Sequence, residues 1–206
     1  MPTRIPFVLI VFCCQAAAAA PRTFTIDGGA SSASARVGKT GLASFAGHEH
    51  LVVAHDLQGE VVFDPDDLPR SSVDLIIPAR SLRVAKEGEP EGDAPKVEAA
   101  MRGPGVLDLA RFATLHLRSV EVKGKPGAAG TWALTLAVEL TLHGLTKAFT
   151  VPVQVELRGE ALHASGKFAI KQTDFGIEPI TAAGGLVKVA DELALEFRIA
   201  ARAAAP

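Results

Sequence analysis

Cysteine is scarce in this chain: 206 residues hold two, Cys13 and Cys14, and both sit in an apolar N-terminal run. Arg4 precedes that run, Ile5 to Cys14, and Gln15 to Ala20 follow it with small residues suited to a signal peptidase. The order is that of a secretory signal peptide cut within the alanine run, so residues 1–20 are expected to leave and residues 21–206 to form one domain. A domain without those two cysteines has no disulfide, no thiol nucleophile and no thiolate for a metal. Phe12 precedes Cys13 and Cys13 precedes Cys14, which is not the small-residue approach to a lipid-modified cysteine. The apolar run is also shorter than the roughly 20 residues that span a bilayer. The expected destination is the periplasm or the exterior.

Other shortages narrow the function. Charge is nearly balanced: the formal net charge is −2, and losing Arg4 makes it −3, with lysines, arginines and acids scattered rather than blocked. A nucleic-acid partner needs a basic face, and none is written here. There is no Gly-x-Ser-x-Gly elbow and no glycine-rich phosphate loop after a strand, so no enzyme is expected. Tyrosine is missing, tryptophan occurs once, and two of the ten phenylalanines lie in the leader, while Ala, Gly and Val abound. Many small residues around a few large ones leave room inside a fold.

What is present is alternation. Trp132, Leu134, Leu136, Val138, Leu140 and Leu142 fall on one face, against Thr131, Ala133, Thr135, Ala137, Glu139 and Thr141. Phe149, Val151, Val153, Val155 and Leu157 repeat the pattern after a break at His143 to Lys147. A period of two predicts β-structure, and these two runs predict an antiparallel hairpin with one apolar face. Similar runs occur at Phe24 to Asp27, Ala30 to Arg36, Leu57 to Phe63, Val73 to Ile77, Thr114 to Val122, Leu162 to Ile170 around Gly166, and Leu193 to Ile199. Asp64 to Pro69 predicts a turn, and Lys86 to Pro95 a solvated loop. One short helix is expected near Pro95, with Val97, Ala100 and Met101 on one face and Gly103-Pro104 as its stop. The fold class is therefore all-β: a single antiparallel, about eight-stranded barrel with one short inserted helix.

Two segments carry a family resemblance. Leu140-Thr-Leu-His-Gly-Leu-Thr-Lys147 resembles the LTL-x-G-x-TK segment of the YceI-like family of exported polyisoprenoid-binding proteins. Thr173-Asp-Phe-Gly-Ile177 resembles that family's RxDFGI segment, and the two occur in the family's order. Phe24-Thr-Ile-Asp27, Phe45, Gly59 to Phe63 and Ser81-Leu82 fit its earlier pattern. Where the family carries RD-x-HL and YP-x-I-x-F, this chain has Met101-Arg102 and Arg111-Phe112-Ala113-Thr114-Leu115, which points to a remodelled helix and entry region. Both matching segments read first as structure: Gly144 suits a positive-φ turn, Thr146 can bond back to local backbone, Phe175 can fill the barrel and Asp174 can cap a turn.

The resemblance implies a lipocalin-like barrel holding an amphiphilic lipid, an isoprenoid chain or isoprenoid quinone. The apolar rows supply the ligand-binding candidates: Phe63, Leu75, Ile77, Leu134, Leu136, Val138, Leu140, Val151, Val153, Val155, Phe168, Phe175 and Phe197. Partners compatible with this reading are the lipid itself, a transient contact with a membrane or membrane protein, and a second copy in a homodimer. The alternative is a divalent-metal site at Gly47-His48-Glu49-His50 and His55, with His116 or His143 to complete it. On a strand, His48 and His50 share one side about 7 Å apart, and Glu49 points away. His163 alternates onto the polar face.

Overall fold

The computed structural model describes residues 20–41, 49–182 and 186–203; the expected signal peptide lies outside them. Twelve strands form one sheet: β1 (Arg22–Ile26), β2 (Ser32–Thr40), β3 (His50–Ala54), β4 (Gln58–Phe63), β5 (Ser72–Pro78), β6 (Arg83–Val84), β7 (Thr114–Pro126), β8 (Thr131–Leu142), β9 (Leu145–Arg158), β10 (Ala161–Lys171), β11 (Thr181–Ala182) and β12 (Val187–Ala203). The order β1-β4-β5-β7-β8-β9-β10-β12 closes through a β1–β12 pairing, with every ladder antiparallel. This is the expected eight-stranded barrel.

Three of its staves are broken in the same latitude. β1 and β2 run consecutively along β12, one pairing its C-terminal end and the other its N-terminal part. β3 and β4 run along β2 and β1, and β6 and β5 along β3 and β4. The breaks are stitched by side chains because backbone ladders stop there. The Ser31 hydroxyl donates to Ala200 O at 3.2 Å and accepts the Ala200 N–H at 3.0 Å, so one group carries both bonds a strand residue would have made. The Ser81 hydroxyl donates to the His55 carbonyl across the next break. The result is a wall whose two halves follow different paths, which a run of unbroken strands would not allow.

The hairpin read from alternation is β8–β9, in register from Thr131↔Glu156 to Leu142↔Leu145. His143 and Gly144 both have positive φ, 50° and 74°, which is the pattern of a two-residue type I′ turn. A side chain at Gly144 would also strike the Phe112 ring, 2.5 Å from where its Cβ would stand. Gly166 spoils the alternation of β10 for a different reason: it opposes Phe197, whose ring lies 2.7 Å from the position of the missing Cβ. The gap in the pattern is the seat of an aromatic ring.

The helix α1 (Asp93–Arg102) forms where it was expected, with Pro95 in its first turn and Gly103 at its C-terminal end. It buries Ala94 and Met101. β6 is the last strand on its side of the sheet, and α1 takes the place of a neighbour: Glu98 Oε2 accepts the Val84 N–H at 3.1 Å while Arg102 Nη2 holds Glu98 Oε1 at 2.8 Å. An exposed strand edge is thereby covered by a helix.

Candidate functional site

The two ends of the barrel differ. At one end Phe63 and Trp132 meet edge to face at 4.9 Å, and Phe24 beside them is completely buried. Asp64 closes this end from below, its Oδ1 accepting the N–H groups of Asp66 and Asp67 at 3.1 Å while Arg70 approaches Oδ2 at 3.5 Å. The turn expected at Asp64 to Pro69 is thus organised around a buried carboxylate, and Leu68 packs beneath the core.

Above this floor lies a cavity of about 620 Å³. Its walls come from every stave: Ile26, Ala33, Ala35, Val37, Val52, Val61, Val73 and Leu115 join the rows of β8, β9, β10 and β12. Twelve of the thirteen candidates line it, namely Phe63, Leu75, Ile77, Leu134, Leu136, Val138, Leu140, Val151, Val153, Val155, Phe168 and Phe197. Phe175 is placed elsewhere. It is fully buried and stacks on Phe149 at 6.0 Å, in the three-residue-per-turn helix of residues 172–175 at the upper end. The barrel is therefore filled at one end and hollow through its middle.

The cavity opens beside α1, which contributes Val97, Ala100 and Met101, and beside Ile180, Val187 and Val189. Few polar groups reach this lining. Lys39, His50 and Gln172 do so from strand and helix positions, and Ser34, Ser71, Ser72, Lys96, Lys188 and Glu196 also border it. Register explains the first two: Val37 opposes both Leu193 and His50, so His50 shares the inward face, and Lys39 follows two residues later on that face. The His50 ring pairs through Nδ1 with Glu89 Oε1 at 2.8 Å, and the Glu89 side chain is 3% exposed. Gln172 is buried and donates to Ala190 O at 2.8 Å.

Of the candidate metal histidines, His50 and His55 flank residues 51–54 of β3 from opposite ends. His55 lies in the break after β3, exposed, while His50 is at the other end of that strand and holds Glu89. His48 lies outside the described residues. His116 pairs with Asp74 on the outer surface at 3.0 Å, and His143 is bound to the Phe175 carbonyl at 3.0 Å beneath Phe112. Among the described residues no group of three His, Cys, Asp or Glu side chains is near enough to hold a metal ion.

Two local roles also fall to other residues. Thr146 bonds across the hairpin to the Thr141 hydroxyl at 2.7 Å rather than to backbone. The acid that fixes residues 172–175 is Asp191 from β12, which accepts from Thr173 N–H at 2.9 Å and Thr173 Oγ1 at 2.8 Å. Those two hydrogen bonds hold the Asp191 carboxyl below its ordinary range. The segment Lys86 to Pro95 is not wholly solvated, because Glu89 turns inward. Charge and missing periodicity conceal such a residue in the sequence; its only sign is a histidine on the inward face of a strand, waiting for a partner.

Comparison with known proteins agrees with this architecture. Residues 24–201 match the model of the YceI-like domain family. The structure is similar to that of BcnA from Burkholderia cenocepacia, with a TM-score of 0.63 and 21% identity over 85% of this chain and 98% of that one. It is likewise similar to a polyisoprenoid binding domain from Saccharophagus degradans implicated in plant cell wall breakdown, with a TM-score of 0.63 and 14% identity over 88% and 98% of the two chains. A YceI protein from Campylobacter jejuni aligns with a TM-score of 0.55 and 14% identity over 75% and 85%. Among curated protein sequences nothing matches.

Proposed function

The chain belongs to the YceI-like family, and we propose that it is a periplasmic binding protein that holds an amphiphilic lipid, a polyisoprenoid or isoprenoid quinone, inside its barrel for carriage or sequestration. The observation that carries this reading is the apolar cavity of about 620 Å³ bounded by the β8 and β9 rows. Its size is that of a small-molecule site, and pockets of about 300–1,000 Å³ bury most of such a ligand. A polyprenyl chain offers almost nothing to hydrogen-bond, so its affinity comes from apolar area removed from water, at roughly 25 cal/mol per Å² before ordering costs. Leu, Val, Ile and Phe side chains on all sides supply that area. The fold shared with a polyisoprenoid binding domain supports the same ligand class. The family and the apolar lining support a role in binding.

The test is retention of an isoprenoid quinone after gel filtration. The native protein is expected to elute with one quinone per barrel, and Val153→Lys, which sets an ammonium into the apolar wall, to elute with none while keeping its far-ultraviolet circular dichroism. A native protein that elutes free of quinone and of every polyprenyl alcohol offered would overturn the reading.

A further inference from the structure

We propose that the mouth of the cavity selects an amphiphile whose head is an oxyanion, a phosphate or carboxylate, and that Lys39 is the residue that binds it. This inference rests on the carrier reading above and specifies its cargo. The reasoning starts from the placement of one lysine. Lys39 lies on β2 in the row that runs Ala33, Ala35, Val37, each of which lines the cavity. It continues that row, is half-buried, and borders the same cavity. A lysine there has its stem against apolar side chains and its ammonium where the cavity meets water.

Among the described residues of β2 and β12 no acid shares the inward face beside that ammonium: Glu192, next to the inward Leu193, is on the outer face, and other acids at this end hold other groups. Glu89 is on His50, Asp93 on Lys96, and Asp191 on Thr173. Glu49 holds Arg36, and Glu196 holds Lys167 and Arg198. Among the described residues Lys39 makes no ion pair; on the outer wall Arg118 pairs with Glu139 and Arg158 with Glu156, while Lys125, Lys147, Lys171 and Lys188 are likewise without an acid. Val189 opposes Lys39 on the β2–β12 ladder and shares its inward face, whereas Lys188 opposes Thr40 and is exposed on the outer face beside the opening. Lys96 of α1 also borders the cavity, with its ammonium on Asp93 at 3.3 Å. The geometry is that of an apolar hole with an unpaired lysine on its inward row, and the ligand that satisfies both parts is a long apolar chain ending in an oxyanion. A quinone carbonyl accepts a hydrogen bond from Lys39 but returns no charge, so an oxyanion is the stronger partner for it.

The experiment compares ligands that differ only in the head. Geranylgeranyl phosphate and geranylgeraniol are titrated into the native protein and into Lys39→Gln by isothermal calorimetry, with palmitate against hexadecanol as a second pair. The native protein is expected to bind geranylgeranyl phosphate roughly tenfold or more tightly than the alcohol at low salt, a charge-assisted contact being stronger than a neutral one. That preference should shrink as salt rises. Lys39→Gln should lose the preference while its affinity for geranylgeraniol stays within about twofold, which a general loss of folding would not produce. A palmitate preference that also depends on Lys39 assigns the site to oxyanions in general, and its absence assigns it to phosphate. Equal binding of phosphate and alcohol by the native protein, or a phosphate preference that survives in Lys39→Gln, overturns the proposal and leaves the carrier reading standing. Binding of neither compound, nor of palmitate or hexadecanol, overturns both.

Discussion

The staves β1 and β2 lie end to end along the same partner strand and do opposite things. β1 turns Phe24 and Ile26 inward, β2 turns Ala33, Ala35 and Val37. The neighbouring stave repeats the contrast, with Phe63 near one end of β4 and Val52 and His50 on β3. Along these broken staves the plugged end carries Phe24 and Phe63, and the hollow part carries alanine and valine across from the larger Leu and Phe residues of β8, β10 and β12. Side-chain size on the broken staves thus goes with filling at one end and space at the other. The break between the staves, sutured by Ser31 and Ser81, is the boundary at which the composition changes.

Substitutions at the two ends should behave as opposites. The largest effect is expected from Phe24→Ala, which removes a completely buried ring from the plug and should cost about 3–5 kcal/mol, read as a lower midpoint in urea. A loss below about 1 kcal/mol would show that the lower end is as loosely filled as the upper. Ala35→Phe is the converse. It adds a ring where space exists, so stability should change by less than about 1.5 kcal/mol, yet quinone retention should disappear because the ring occupies the ligand's place. If Ala35→Phe unfolds the protein, the cavity is smaller or stiffer than 620 Å³ of open space implies.

A smaller effect is expected where the mouth is held together. Glu89→Gln keeps the volume but weakens its bond to His50, and should raise the dissociation rate of bound lipid several-fold with little change in melting temperature, by stopped-flow dilution into detergent. The smallest effect concerns acid. Asp191 has its pKa lowered in the fold by Thr173, so its contribution to stability is present above the unfolded value and is lost as pH falls through the folded one. Asp191→Asn should therefore melt lower than the native protein near neutrality, and the difference should narrow on acidification below the ordinary aspartate range; a constant gap across that range would contradict the assignment.

How much of this could be read beforehand depended on whether a face was buried against protein or against the cavity. β8 and β9 were legible to within a few residues, because a continuous row of Leu and Val against Thr and Glu admits one register. β2 was not, beyond a run of small residues ending at Arg36: a wall that faces a cavity needs no bulk, so its alternation has little contrast, and its inward row ends in a lysine. β12 begins at Val187, before the legible run at Leu193, because the register shifts between Val189 and Leu193 and resets the period. The rows of β8 and β9 face the cavity as their alternation implies, whereas Phe175 belongs to a helical turn, where a period of two says nothing. The histidines illustrate the limit most directly. Parity put His50 on the proper face, but its partner is Glu89, 39 residues away in a segment whose charge reads as solvent-exposed.

The central claim is that the middle of this barrel is occupied by lipid when the protein is at work. Native mass spectrometry of the protein purified from cells without added lipid, followed by organic extraction, addresses it directly. The account predicts a discrete added mass at one per barrel that is released by solvent and identified as an isoprenoid. A clean apo mass that stays unchanged after incubation with isoprenoid quinones and with geranylgeranyl phosphate would contradict it.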